Sequence, residues 1–131
     1  MKDKDKIIEY WKTHALYDIE TAESMMTVKR YPYCLFMCHL AIEKLLKGIL
    51  VSEKDEHAPY THNLTTLSAG TNIDFSAEQK LLIVTLNEFN MEARYPDWQD
   101  SFYSRATKDY TEKYLQASKE LYLWLINYLQ K

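Results

Sequence analysis

Between Asp5 and Lys29 the apolar residues Ile8, Trp11, Ala15, Ile19, Ala22 and Met26 recur at steps of three and four. That spacing gathers them on one side of a helix turning every 3.6 residues and predicts a first amphipathic helix over this stretch. The period breaks at Tyr31-Pro32-Tyr33, because proline disfavours helical geometry in the residue before it and suits the first turn of the next helix. A second helix is expected from near Tyr33. Its apolar residues Leu35, Phe36, Ala41, Ile42, Leu45, Leu46, Ile49 and Leu50 cover more than one face, which marks it as the central, most buried helix.

Residues 52–60, SEKDEHAPY, form a charged linker ending in proline and tyrosine. Thr61 is placed to cap a short helix carrying Leu64 and Leu67, with Gly70 as its stop. Ser76-Ala77-Glu78-Gln79 has the form of a capping box, in which serine side chain and glutamine reach each other's backbone N–H groups. It opens a helix with Leu82, Leu86, Phe89 and Ala93 on one face, ending at Arg94-Tyr95-Pro96. The polar, aromatic stretch DWQDSFYS, 97–104, reads as a loop. Ala106, Tyr110, Tyr114, Ala117, Leu121, Leu125 and Tyr128 or Leu129 then restore the helical period. The expectation is an all-α, up-and-down four-helix bundle with one additional short helix, in a single domain of residues 1–131.

Composition agrees with that pattern. The chain is 47% apolar with two glycines and three prolines, too few turn residues for the many short connections of a sandwich or barrel. A net charge of −3, from sixteen basic and nineteen acidic residues, supplies no overall cationic field, so polyanion binding must be local. The opening MKDKDKIIEYW has neither the apolar run nor the cleavage site of a secretory signal. Residues 34–51, the longest apolar stretch, contain His39, Glu43, Lys44 and Lys47, too much charge for a membrane span. A cytoplasmic location without membrane insertion is expected. Cys34 and Cys38 match no redox or paired-CxxC zinc spacing and read as reduced, buried, small apolar residues.

Three strings carry more. Ala41-Ile42-Glu43-Lys44-Leu45-Leu46-Lys47 is followed by Thr61-His62-Asn63-Leu64 and then by Ala93-Arg94-Tyr95-Pro96-Asp97. In this order, with a Trp-then-Ala first helix and an Ala-rich last helix, they resemble the AxEKxxK, THxL and ARYPD segments of the HEPN family, with Asn63 where the family often has aspartate. The resemblance implies a helical bundle that dimerises through helix faces. It also implies nucleotide or nucleic-acid binding and a minimal nucleotidyltransferase partner in a toxin–antitoxin-like pair. It brings the three strings together in one groove, with Lys44, Lys47, His62, Arg94 and Tyr95 as the ligand-binding candidates.

Each candidate has two readings. Lys44 and Lys47 could present a double cation to phosphate, or Lys47 could pair with Glu43 four residues earlier. Arg94 could fork onto a phosphate beside the Tyr95 ring, or stabilise its helix end and the loop beyond. His62 could contact a ligand or move a proton, or order the loop as a neutral group. Of the histidines elsewhere, His14 with Asp18 and His39 with Glu43 have metal-compatible spacing, but the Glu-x-x-His motif of bundle metal sites is missing, so hydrogen-bonded core or rim histidines are expected. The eleven tyrosines are expected in core and dimer interface unless they cluster on an exposed face. Some HEPN relatives are metal-independent ribonucleases with an Arg-x4-6-His motif. Here Arg30 reaches His39 only after eight residues, and no histidine follows Arg94 or Arg105. With only Gly48 and Gly70, no phosphate loop exists either. The expectation is a non-catalytic binding module with no catalytic residues, cofactor or metal. The alternatives are a ribonuclease toxin with a divergent site and a purely structural dimer.

Overall fold

The structure, a computed structural model, describes residues 1–94 and 96–130, with the side chains of residues 91–99 outside that description. The described residues form helices α1 (Lys4–Thr27), α2 (Tyr31–Lys54), α3 (Leu64–Gly70), α4 (Ala77–Arg94), α5 (Pro96–Arg105) and α6 (Lys108–Gln130). This is the expected all-α bundle, with α1, α2, α4 and α6 as its long members. Two boundaries and one element differ from the sequence expectation. Helix α2 begins at Tyr31 and takes Pro32 into its first turn, where the missing N–H costs nothing. The short helix α3 is capped by Asn63, whose side-chain oxygen accepts from the Thr66 N–H at 3.1 Å, while Thr61 Oγ1 accepts from the Asn63 N–H. The stretch expected as a loop is helix α5, started by Pro96 and pinned by Phe102, which is fully buried and packs on Phe89 at 5.7 Å between ring centroids. The bundle thus carries two short helices rather than one.

The predicted capping box is present: Gln79 N–H donates to Ser76 Oγ at 3.1 Å and Ser76 N–H to Gln79 Oε1 at 2.9 Å, satisfying two N–H groups at the start of α4.

Helix α2 contacts each of the other five helices. Cys34, Leu35, Cys38, Ala41, Ile42, Leu45, Leu46 and Ile49 are all fully buried along it, so its hydrophobic run finds apolar neighbours on every side. Both cysteines are free thiols, and hydrogen bonding to Cys38 together with burial pushes the Cys34 thiol up. Gly48 explains one close approach: a Cβ there would lie 3.2 Å from Trp11 Cβ, so glycine lets α1 lie close against α2. Among the described residues no helix is long and apolar enough to cross a membrane.

Candidate functional site

His39, Glu43 and Lys47 stand four residues apart, one above the other on a single face of α2. Buried polar groups on a central helix need partners, and Glu43, only 3% exposed, supplies them from one carboxylate. Its Oε1 receives His39 Nε2 at 3.2 Å and its Oε2 receives Lys47 Nζ at 3.2 Å. The other ring nitrogen of His39, Nδ1, lies 3.1 Å from the carbonyl oxygen of Leu86 on α4. Both partners of His39 are acceptors, so the two bonds form together only when both ring nitrogens carry hydrogen.

His62 closes the cluster from outside α2. Its Nδ1 lies 3.1 Å from each oxygen of Glu43, while its side chain remains 55% exposed. Its loop is firmly held. Thr61 and Asn63 on either side form the start of α3, Leu64 N–H donates to Asn87 Oδ1 on α4 at 2.8 Å, and Leu64 itself is fully buried. Because Nδ1 faces a carboxylate it donates, which leaves Nε2 as the outward nitrogen, available to accept, donate or transfer a proton.

Electrostatics follow from this arrangement. Burial alone pushes the Glu43 carboxyl up, but the bond from His39, the charge of Lys47 and the bond from His62 outweigh it and hold the group at about 2, against an ordinary value of 4.5. Glu43 is thus a fixed anion, and the donors around it are held in place by charge-assisted bonds.

Of the residues singled out in the sequence, Lys47 and His62 meet at Glu43. Lys47 is largely enclosed, its ammonium 5.4 Å from the centre of the Trp11 ring. Lys44 turns elsewhere, to an ion pair of 2.6 Å with the buried Asp18 of α1, so the two lysines each serve a separate carboxylate. The side chains of Arg94 and Tyr95 lie outside the described residues. His14 rests against Tyr10 at 4.1 Å between ring centres. Among the described residues no group of three or more His, Cys, Asp or Glu is placed to hold a metal ion.

Sequence reasoning missed Tyr10 and the second role of Trp11. Besides covering Lys47, Trp11 lines an open hollow of about 320 Å³ with Lys6, Tyr10, His57 and Tyr60. Tyr10 and Trp11 meet edge to face at 5.2 Å, and Tyr60, two residues before His62, is fully exposed. The signal is an adjacent Tyr-Trp pair at the start of one helix, which the apolar stripe through Trp11 does not by itself reveal. Trp11, which lies against the Lys47 ammonium, thus links the Glu43 cluster to an aromatic hollow that also carries Lys6 and His57.

Residues 8–129 match the HEPN domain. The crystal structure of TT1696 from Thermus thermophilus superposes with a TM-score of 0.76 at 17% identity, over 97% of this chain and 98% of that one, which is a likeness of fold. No curated protein matches the sequence.

Proposed function

The chain belongs to the HEPN family, and on that footing we propose that it is a non-catalytic, cytoplasmic binding module that takes a nucleotide or nucleic-acid end beside Glu43. One observation carries this reading: His62 is oriented by a buried carboxylate while its side chain stays more than half exposed, and the Lys47 that shares this carboxylate lies against Trp11, which lines a hollow with Tyr10 and Tyr60. A phosphate would be met by His62, with Lys6 and His57 near at hand, and a base would stack on the rings. Lys47 backs the site through Glu43 and Trp11. Lys44 contributes by tying α1, and with it Trp11, to α2 through Asp18. Arg94 and Tyr95 complete the groove in this proposal on the strength of the ARYPD string. Family membership also supports a homodimer and a minimal nucleotidyltransferase companion in a toxin–antitoxin-like pair.

A second reading, a ribonuclease with a divergent site, is favoured by one feature: a carboxylate-held imidazole is the arrangement that general acid–base chemistry needs. Against it stands the missing Arg-to-His spacing. Incubating the purified protein with total RNA separates the two. The binding module leaves RNA intact, whereas cleavage that His62→Ala abolishes would install the ribonuclease instead.

A further inference from the structure

At the N-terminal end of α2, where α1 turns into it, Lys29, Arg30, Tyr31, Tyr33 and Tyr103 line an open hollow of about 500 Å³ with no acidic residue among the described residues of its wall. Neither Lys29 nor Arg30 makes an ion pair with a described residue, whereas Lys44 and Lys47 each hold a carboxylate. Two adjacent cations with no counter-ion among the described residues set up a positive potential that draws an anion, even in a chain of net charge −3.

The backbone sharpens the point. Helix α1 ends with the Arg30 N–H bonded to the Met25 carbonyl at 2.8 Å and the Lys29 N–H to the Met26 carbonyl at 3.1 Å, a Schellman turn whose left-handed residue is usually glycine. Here it is Lys29, at φ 62. A long cationic side chain thus stands where folding alone favours none. Tyr33 and Tyr103 are 51% and 46% exposed and both line the hollow, so two aromatic residues are left half in water beside the cations.

We infer that this hollow is a second site for a nucleoside phosphate, in which Lys29 and Arg30 take the phosphate and Tyr33 and Tyr103 the base. Arginine forks onto phosphate oxygens, tyrosine rings stack on any base, and the volume falls in the range of small-ligand sites. An acidic peptide would satisfy the cations and leave the rings without a role. The inference stands apart from the His62 reading, because Arg30 and Glu43, on which His62 is anchored, are separated along α2 by about 20 Å at 1.5 Å per residue.

Calorimetric titration of the full chain with AMP tests it, carried out in the unmodified protein and in a His62→Ala background. The expected result is that binding survives His62→Ala and weakens about tenfold or more with Arg30→Ala or Lys29→Gly, the scale of one charge-assisted contact. Lys29→Gly should melt at the same or a higher temperature, since glycine relieves the left-handed backbone; ribose 5-phosphate and adenosine should each bind more weakly than AMP. A 5′-phosphorylated RNA pentamer competing more strongly than AMP assigns the site to a nucleic-acid end, and equal competition assigns it to free nucleotide; both support the inference. Absence of AMP binding in the His62→Ala protein overturns it, as does affinity unchanged by Arg30→Ala and Lys29→Gly. A hexaglutamate peptide binding as tightly as AMP also overturns it.

Discussion

At the scale of single residues, Glu43 gives the site a pH signature. Its folded value of about 2 lies below the ordinary 4.5, so its contribution to stability is complete above about pH 4.5 and is lost as pH falls toward 2. A shift of that size is worth roughly 3 kcal/mol. Urea midpoints measured from pH 6 down to 2 should fall across this window, and Glu43→Gln should flatten the fall there. Glu43→Gln should also lower stability at neutral pH by about 3–5 kcal/mol, because it removes the counter-charge from a buried lysine. A variant that keeps the same acid slope would show that another group controls it. The pairs His39–Glu43 and Glu43–Lys47 were each legible as i,i+4 spacings in the sequence. That one carboxylate serves both was not; the resemblance brought His62 to the same groove, but its bond to Glu43 could not be read, because it depends on how α3 docks against α2 and α4.

At the scale of elements, hydrophobic periodicity located every long helix, and the Ser76–Gln79 box located the start of α4. It failed at α5. Ten residues, PDWQDSFYSR, are too few and too polar to show a stripe, and the helix is held by tertiary packing of Phe102 rather than by intrinsic preference. Phe102→Ala should therefore cost about 3–5 kcal/mol, the usual range for an enclosed aromatic, with loss of helical circular dichroism confined to a small fraction at low denaturant. A cost under about 1 kcal/mol would mean that α5 is not fastened to the core through this ring. Thr61 was a reasonable cap from its type, but the cap went to Asn63 because only a residue directly before Leu64 can reach the Thr66 N–H. The cap sits beside His62, so the same local chemistry that starts α3 also fixes the imidazole.

At the scale of the whole molecule, α2 touches every other helix, with the Glu43 cluster at its middle and the Lys29–Arg30 hollow at its N-terminal end. Much apolar surface stays outside: Leu16 and Tyr17 on α1, Leu81 and Val84 on α4, and Leu123 and Trp124 on α6 are all at least 41% exposed. Apolar residues left in water on three helices favour self-association. Sedimentation at micromolar concentration should return a two-chain mass, and a single species of one chain mass would contradict this. The central claim, that the Glu43-anchored imidazole binds rather than braces, is tested most directly by pairing AMP affinity with thermal stability in His62→Ala. His62 is more than half exposed, so the variant should stay within about 1 kcal/mol of the parent in stability, as surface changes usually do. With the Lys29 and Arg30 hollow disabled by Arg30→Ala in both proteins, the account predicts that His62→Ala weakens AMP by about tenfold or more. A marked drop in melting temperature with AMP affinity unchanged would contradict it and make the cluster a brace of the fold.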